Sequence, residues 1–324
     1  MRAVLLREFT HSPGTLNSSE VETPAPGPGE ALVQTEAAAI NPSDLLNIRG
    51  GFAHTVLPRV IGRDFAGRVT VGPPHLRGRE VWGAGGDLGY THDGTHAEFV
   101  AVPEDGVALR PSNLSAPEAA SAGIPFITAW CGLVDRARIK RGDWVIVSGA
   151  AGSVGSAAVQ ISWYVGAHVI ALIKDAGERE LIDQQKIAAV AQSDKNDLQE
   201  VVREATDGDG AAIALNTVGS LVFASLLASL ADRGRMIVVS GVAGREVERL
   251  DLMNLYRRDL ELIGLNTANL SLEECAKILA ELYAPFESGA FTPPRVTATY
   301  SLDQAQEAYA RAAHGSNEKI VFEP

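Results

Sequence analysis

The sequence predicts an α/β protein with two domains, an antiparallel β-barrel-like domain and a doubly wound parallel sheet. Up to about residue 124 the chain consists of short β-like segments separated by Gly and Pro. After that point strand patterns alternate with helical periodicity, which is typical of βαβ units. A run of apolar residues that ends in the small residues of "VIVSGAAGSVGS" lies in this second region. With 324 residues, the chain is long enough for both domains.

The first region contains four segments with strand character. They are "EALVQTEAAAI", "VIGRDFAGRVTVG", "EVWGAGG" and "HAEFVAVP". Their spacing and the turn residues between them favour antiparallel pairing.

The second region contains five predicted strands, with helices between most of them. The strands cover residues 143–148, 168–173, 211–216, 235–240 and 261–265. This spacing predicts a doubly wound parallel sheet. Two helices are then predicted from capping boxes, Ser271 with Glu274 and Ser301 with Gln304, before a short closing strand, "KIVF".

Composition excludes several classes of function. The formal net charge is -12, and no basic stripe is present that could displace counterions from nucleic acid. The two cysteines, Cys131 and Cys275, are far apart, so neither a disulfide framework nor a cysteine-rich zinc site is expected. No segment has the length of a membrane span, and the N-terminus lacks the apolar core of a signal peptide. We therefore expect a soluble cytoplasmic protein.

The loop after the first strand of the second region is similar to a dinucleotide fingerprint. On the GxGxxG template, Ala150 takes the first position, Gly152 the second and Gly155 the third. Gly152 would allow close approach of the pyrophosphate, and Gly155 would allow the helix to contact the strand. The loop Ala151 to Gly155, with the amides of Ser153 and Val154, would then face the phosphates. The alternative is a purely structural strand-to-helix turn.

The next strand should end near the adenine ribose. A carboxylate there favours NAD, whereas a cation accepts the 2′-phosphate of NADP. The sequence places Lys174 at the tip, with Arg179 a turn later, which favours NADP(H). Asp175 argues for NAD, and Lys174 as an ordinary surface lysine is the remaining alternative.

Taken together, these motifs resemble the medium-chain dehydrogenase/reductase superfamily, in particular its zinc-independent quinone oxidoreductase and enoyl reductase branch. The similarity runs through "AAINPSDLLNIRG", "VIGRDFAGRV", "DGTHAEFVAVP", "AAGSVGSAAVQIS", "ALNTVGS", "GRMIVVSG" and "GSNEKIVF". It implies a GroES-like barrel formed by residues 1–124 and 266–324, with a Rossmann NADP-binding domain at 125–265 between them. It also implies a homodimer, which an edge strand near Glu261 could extend across a two-fold axis.

The chain departs from the zinc-binding members of that superfamily. Asn41 in "NPSD" and Arg63 in "GRD" replace their ligands. Zinc needs three or four converging Cys, His or carboxylate ligands. His92 and His96 are four apart, but "HDGTH" has the composition of a turn. We therefore expect no metal site.

The resemblance also assigns residues to the cofactor. It implies that Asn41 and Thr128 lie near the nicotinamide, and that Lys319 lies near the phosphates. The residues expected to meet the ribose are Asn216 and Val218, and those expected to flank the nicotinamide ring and its carboxamide are Ser240, Gly241, Leu265 and Asn266. Each of these polar residues has the alternative role of an ordinary loop or strand-end hydrogen bond.

The candidate catalytic residues are Asn41, Phe52 and Tyr90. Related reductases commonly have a tyrosine where this chain has Phe52, and a phenyl ring cannot donate a proton. Phe52 is therefore expected to form an apolar wall, and Tyr90 is a candidate to supply a hydroxyl. Asp44 is expected to cap the helix that opens at Pro42.

The predicted activity is NADPH-dependent hydride transfer to a small electrophile, either a quinone or an α,β-unsaturated carbonyl. Two alternatives remain at this stage. One is a reductase of 2-enoyl thioesters or haloacrylates, and the other is a non-catalytic NADPH-binding sensor or crystallin-like protein.

Overall fold

The computed structural model describes residues 1–12, 15–195, 197–241, 246, 250–314 and 318–324. The chain forms two compact units. The first joins Met1–Ile127 with Thr267–Pro324, and the second is Thr128–Asn266. The sequence-based boundaries at 124/125 and 265/266 lie within three residues of these positions.

The first unit is mostly β-structure. Its strands are β1 (Arg2–Leu6), β2 (Ser18–Glu20), β3 (Glu30–Ala39), β4 (Arg59–Val60), β5 (Asp64–Val71), β6 (Glu80–Ala84), β7 (Phe99–Pro103) and β8 (Ala108–Leu109), followed late in the chain by β15 (Val296–Tyr300) and β16 (Lys319–Phe322). Its helices are α1 (Pro42–Ile48), most of α2 (Ala116–Trp130), α7 (Leu272–Glu287) and α8 (Ala305–His314).

The strands of the first unit form two sheets. One has the order β2-β1-β4, and the other runs β15-β16-β3-β5-β6-β8, with β7 also paired to β3. The pairs are antiparallel as predicted, except that β15 and β16 are parallel. The long strand β3 pairs with β5, β7 and β16, and it ends two residues before Asn41. Its position places that residue beside the closing strand.

Apolar clusters stabilise this unit. One lies inside the barrel around Val33, Phe65 and Val100. Another joins α1, α8 and β16 through Ile48 and Tyr309 and includes Phe322. Both helices predicted from capping boxes are present. The Ser271 hydroxyl accepts from the amide of Glu274, and Ser301 begins the helical turn that leads into α8.

The second unit is a six-stranded parallel sheet with helices. Its strands are β9 (Trp144–Ser148), β10 (His168–Ile173), β11 (Ala189–Gln192), β12 (Ala211–Asn216), β13 (Leu230–Val238) and β14 (Glu261–Gly264), and its helices are α3 (Ser153–Val165), α4 (Leu198–Ala205), α5 (Ser220–Ala228) and α6 (Leu252–Arg257). A π-helical turn, Cys131–Arg136, continues α2. The strand order is β11-β10-β9-β12-β13-β14, which confirms the doubly wound fold class.

The five predicted strands are all present, but the prediction missed β11. This strand has four residues and pairs only with β10, so its sequence carries little periodicity. β13 begins five residues earlier than predicted, because the polar segment after Leu230 is held by pairing with β12.

Two global properties follow from the described residues. In that part of the chain, no helix combines the length and apolarity needed to cross a bilayer. Cys131 and Cys275 are both buried and form no disulfide.

Candidate active site

The loop between β9 and α3 makes its tight turn at Gly149. This residue has φ = +60°, and a Cβ atom on it would lie 2.6 Å from Oγ1 of Thr217. The sequence comparison with the fingerprint gave this first role to Ala150, which is instead a buried residue of ordinary conformation. The left-handed residue is therefore Gly149, one position before the first glycine of the template, because this turn needs a residue without a side chain. The template positions of Gly152 and Gly155 are unchanged.

The other two glycines of the loop differ in what their neighbours require. A Cβ on Gly155 would lie 2.1 Å from the carbonyl oxygen of Gly149, so only glycine lets α3 approach the loop. A Cβ on Gly152 would meet a single atom, at 3.3 Å. The neighbours of Gly152 therefore constrain it less than those of Gly155. A glycine at this position would let a ligand approach the backbone closely.

The first turn of α3 is the second part of this cradle. Gly152 is the N-cap, and the helix runs from Ser153 for 13 residues. Amides in the first turn of a helix have no partner within the helix and attract anions. The turn at Gly149, the open position at Gly152 and these amides fit the pyrophosphate of a dinucleotide.

Other predicted cofactor residues lie at the carboxyl edge of the same sheet. Val218 follows β12, Ser240 and Gly241 follow β13, and Leu265 and Asn266 follow β14. Because the strands are parallel, their carboxyl ends share one edge. Gly241 and Asn266 are exposed, whereas Leu265 is buried, as is Thr128 in α2.

Asn216 lies at this edge, but its side chain forms hydrogen bonds with the backbone of the turn that follows it. Its Oδ1 accepts from the amides of Val218 (3.1 Å) and Gly219 (2.8 Å), and its Nδ2 donates to the carbonyl of Gly219 (3.0 Å). The side chain is fully buried. Asn216 therefore shapes the turn that presents Val218, which is the structural alternative to a direct ribose contact.

The tip of β10 presents cations. Lys174 and Arg179 are both exposed. Asp175, the residue that argued for NAD, caps the next helical turn by accepting from the amide of Gly177 at 2.8 Å. Glu178 accepts from the backbone amide of Lys174. The lysine and arginine side chains therefore remain the basic groups of this tip, while the Asp175 carboxylate is engaged locally.

In the first unit, a buried polar cluster surrounds Asn41. Nδ2 of Asn41 donates to Oδ2 of Asp64 at 2.6 Å, and Nζ of Lys319 donates to Oδ1 of Asn41 at 2.7 Å. The Lys319 ammonium lies 3.9 Å from the same Asp64 oxygen. The structure thus places Lys319 inside its own unit, 4% exposed, and joined to Asn41.

Backbone groups complete the cluster. The other Asp64 oxygen accepts from the amide of Ile124 at 2.9 Å, and α2 can approach it because a Cβ on Gly123 would lie 2.5 Å from that oxygen. The carboxylate of Asp44 accepts from the amide of Asn41 at 2.7 Å, which confirms its predicted capping role.

Burial controls the protonation of these groups. It raises the pKa of Asp64 and lowers that of Lys319, because each charged form loses hydration while the partner charge opposes the shift. Burial also raises the pKa of Asp44 to about 7, against the hydrogen bond from Asn41 and the nearby Arg63. Two carboxyl groups are therefore balanced by two cations, Arg63 and Lys319.

This cluster does not fit a zinc ion. The ligand positions of zinc-binding relatives are taken by an amide and a guanidinium, and a lysine ammonium already contacts the amide oxygen. Zinc prefers thiolate, imidazole and carboxylate ligands, and two nearby cations would repel it. Within the described residues, no group of three or more His, Cys, Asp or Glu side chains could hold a metal ion.

The two histidines of "HDGTH" are also separated by the fold. His92 is exposed and contacts Asp87. His96 is buried, with Nε2 against the carbonyl oxygen of Ala39 (3.1 Å) and Nδ1 against the hydroxyl of Tyr309 (2.8 Å). Burial lowers the pKa of His96 to about 4, so the neutral ring donates to the carbonyl and accepts from Tyr309.

Phe52 and Tyr90 lie together in the first unit. Their ring centroids are 4.8 Å apart, and the ring of His54 lies 5.0 Å from that of Tyr90. The guanidinium of Arg63 lies over the ring of Tyr90, with Cζ 4.9 Å from the ring centroid. Tyr90 is fully buried, and burial raises its pKa to about 12, so its hydroxyl stays protonated at neutral pH.

Sequence reasoning missed Asp64 and Gly149. Asp64 lies within the quoted "GRD" segment, so its position next to Arg63 was a usable signal. Gly149 is the residue directly before the aligned loop.

Comparisons with known proteins agree with this architecture. Residues 27–112 match a family model described as the alcohol dehydrogenase GroES-like domain, and residues 153–284 match one described as zinc-binding dehydrogenase. A zinc-type alcohol dehydrogenase-like protein of Schizosaccharomyces pombe is 38% identical over 96% of this chain and 93% of its own. A quinone oxidoreductase of Pongo abelii is 26% identical over 98% of this chain and 95% of its own.

Solved structures are similar over the whole chain. One, described as an NAD-dependent alcohol dehydrogenase, has a TM-score of 0.88 at 28% identity, with both chains fully covered. A mycobacterial protein solved in complex with NADPH has a TM-score of 0.85 at 28% identity, again with both chains fully covered. A GroES-like unit combined with a dinucleotide-binding sheet defines a nicotinamide-dependent oxidoreductase. The chain belongs to the medium-chain dehydrogenase/reductase superfamily.

Proposed function

We propose that this protein is an NADPH-dependent reductase that transfers hydride to a quinone or an α,β-unsaturated carbonyl without a metal ion. The observation that carries the proposal is the Asn41–Asp64–Lys319 cluster. Lys319 donates to Asn41 at 2.7 Å, and Asn41 donates to Asp64 at 2.6 Å. Asn41 and Arg63 stand where the family resemblance implies zinc ligands, and the Asn41 amide is already engaged by a cation on one side and a carboxylate on the other.

Without a Lewis acid, the acceptor must be reactive through its own conjugation. Quinones and enones are such acceptors, because negative charge that arrives with hydride is delocalised onto a carbonyl oxygen. The balanced reaction is NADPH, a proton and the quinone giving NADP⁺ and the hydroquinone. For an enone, hydride adds to the β-carbon and the proton ends on the α-carbon.

Bound NADPH would supply the hydride. We propose that Gly152 and the amides of Ser153, Val154 and Gly155 hold its pyrophosphate, and that Ala151 lines the loop. The Lys174 and Arg179 side chains would bind the 2′-phosphate, supported by their exposure and by the engagement of Asp175 with Gly177.

The remaining residues keep the roles that the family resemblance implies. Val218 and the Asn216 turn are proposed at the ribose, and those proposed at the nicotinamide are Asn41, Thr128, Ser240, Gly241, Leu265 and Asn266. For Lys319 we propose a contribution to the local positive potential through Asn41, since its ammonium is already hydrogen-bonded there.

The deciding experiment follows nicotinamide absorbance in four parallel reactions, NADPH or NADH with an ortho-quinone or a simple enone. Turnover with NADPH, unchanged after dialysis against a chelator, is the expected result. A rate that depends on added zinc would overturn the metal-free proposal. Turnover only with a 2-enoyl thioester would favour that alternative, and tight NADPH binding without any turnover would identify a sensor.

We also propose a homodimer formed through β14. Among the described strands, β14 pairs only with β13, and its residue Leu262 is 36% exposed. An edge strand with free backbone groups can extend its sheet into a second copy. Sedimentation equilibrium should give twice the chain mass, and Leu262→Lys should shift the protein towards monomer. A monomeric mass for the unmodified protein would refute the proposal.

A further inference from the structure

Three polar atoms near Tyr90 are buried and, among the described residues, have no hydrogen-bond partner at ordinary geometry. They are the Tyr90 hydroxyl, Nε of Arg63 and the hydroxyl of Ser43. Tyr90 is 0% exposed and Arg63 is 2% exposed. Buried polar groups are nearly always paired, because leaving one unpaired is costly. Three of them in one neighbourhood call for a missing partner.

The three groups face one another. Ser43 and Arg63 both lie close enough to the Tyr90 hydroxyl to favour its ionised form, yet neither forms a hydrogen bond of ordinary geometry with it. Arg63 is held in place by a bond from its Nη2 to the carbonyl of Gly86 at 3.3 Å and by its position over the Tyr90 ring. Arg63 is therefore held by contacts outside this group of three.

The chemistry of this set is that of hydrogen-bond donors. Two hydroxyls and a guanidinium N–H can all donate to one oxygen, and the guanidinium adds positive charge. An ionised Asp44 carboxylate would repel an anion at this place. Because the pKa of Asp44 is raised to about 7, this group can be neutral there. A carbonyl oxygen that gains negative charge is a partner that would satisfy all three donors.

The surroundings favour a flat partner. Phe52 and His54 contact the ring of Tyr90 at centroid distances of 4.8 and 5.0 Å. The segment that carries them is joined to the Tyr90 loop by the bond from the Val56 amide to the Tyr90 carbonyl, at 3.0 Å. Aromatic rings next to the donors suit a conjugated ring or enone whose oxygen meets the donors.

We propose that the Tyr90 hydroxyl, Arg63 Nε and the Ser43 hydroxyl form an oxyanion site that receives the carbonyl oxygen of the acceptor, with Phe52 and His54 as its aromatic wall. The proposal rests on the proposed reductase function and specifies its substrate as a flat carbonyl compound. The donors stabilise the negative charge that develops on oxygen as hydride is added to carbon. With its raised pKa, Tyr90 stays a donor and the final proton comes from water.

The test uses para-nitrophenol, a flat phenol whose ionised form absorbs visible light. Binding to the full-length protein loaded with NADP⁺ should favour the phenolate and lower the apparent pKa of the bound phenol. Tyr90→Phe should weaken phenolate binding about tenfold or more, while leaving the affinity for nitrobenzene, which has no phenolic oxygen, unchanged. Ser43→Ala should show a smaller loss in the same direction.

Tyr309→Phe is the matched control. Tyr309 is also fully buried, but its hydroxyl is bonded to His96 at 2.8 Å and lies outside the proposed site. This variant should lose stability and keep phenolate binding. Tyr90→Phe should keep or gain stability, because the hydroxyl that it removes has no partner.

Turnover separates the two proposals. If no acceptor is reduced but phenolate binding still depends on Tyr90, the reductase function fails and the oxyanion site stands. If the Tyr90→Phe variant reduces the acceptors as fast as the unmodified protein does, and phenolate binding is also unchanged, the oxyanion site is refuted and the function stands.

Discussion

The ammonium of Lys319 donates a 2.7 Å hydrogen bond to the side-chain oxygen of Asn41, 278 residues earlier in the chain. This bond joins the closing strand β16 to the start of α1. It also fixes the orientation of the Asn41 amide, whose nitrogen donates to Asp64.

Replacement of this lysine should expose the cost of an unpaired buried carboxylate. Lys319→Met leaves Asp64 fully buried without its cation and should lower the free energy of unfolding by about 3 to 5 kcal/mol. Urea unfolding measures the change. Lys277→Met, on the exposed face of α7, should leave stability unchanged.

The double variant Lys319→Met with Asp64→Asn should recover much of that loss, because the uncompensated charge is gone. If the two single losses simply add in the double variant, the two residues are not coupled and the pairing described here is wrong.

Substitutions at Gly152 and Gly155 should have different effects, one mainly on cofactor binding and the other mainly on stability. Gly152→Val should abolish NADPH binding with a smaller loss of stability than Gly155→Ala, since a Cβ at Gly152 would meet only the Gly149 carbonyl oxygen, at 3.3 Å. Gly155→Ala should unfold at lower temperature, because its Cβ would lie 2.1 Å from the Gly149 carbonyl. Cofactor fluorescence titration and thermal melts measure the two effects. Undiminished NADPH affinity in Gly152→Val would overturn the loop assignment.

The choice between NADPH and NADH should depend on the tip of β10. Lys174→Ala should weaken NADPH binding about tenfold and leave NADH binding nearly unchanged, because only NADPH carries the 2′-phosphate. Lys140→Ala is the matched control, an exposed lysine ahead of the amino end of β9. Equal losses for both cofactors in Lys174→Ala would remove the proposed phosphate contact.

The free energy of unfolding should depend on pH through two buried groups, His96 and Asp44, whose pKa shifts have opposite effects on its slope. The folded-state pKa of His96 is about 4, below its usual 6.5, so its contribution is present above pH 6.5 and is lost as pH falls towards 4. The folded-state pKa of Asp44 is about 7, above its usual 3.8, so its contribution is present below pH 3.8 and is lost as pH rises through 7. From these shifts the two effects are about 3 and 4 kcal/mol, and they oppose each other between pH 4 and 6.5.

Asp44→Asn should therefore make the protein more sensitive to acid. The amide keeps an oxygen to accept from the Asn41 backbone, but it cannot take up a proton, so the His96 effect is no longer offset. The free energy of unfolding, measured from pH 4 to 7.5, should rise with pH more steeply in the variant than in the unmodified protein. Parallel profiles for the two proteins would contradict the raised pKa of Asp44.

The predictable parts of the structure were those that local interactions determine. β10 and β12 have the predicted bounds, and both capping boxes are present, because strand periodicity and caps depend on residues a few positions apart. The strand-to-helix loop before α3 was predicted for the same reason, and the structure adds that its left-handed residue is Gly149. β11 was missed because four residues that pair with one neighbour leave too short a pattern.

By itself, the sequence determined the two-unit α/β architecture, the glycine-containing loop between β9 and α3, and the absence of zinc-type ligands at Asn41 and Arg63. Only the tertiary structure decided what replaces those ligands. Lys319 meets Asn41 across 278 residues, and Ser43, Arg63 and Tyr90 come from three separate segments. No sequence periodicity relates such residues, because the pairing of β3 with β16 brings Lys319 and Asn41 together. Burial then removes the water around each charge, which shifts the pKa values.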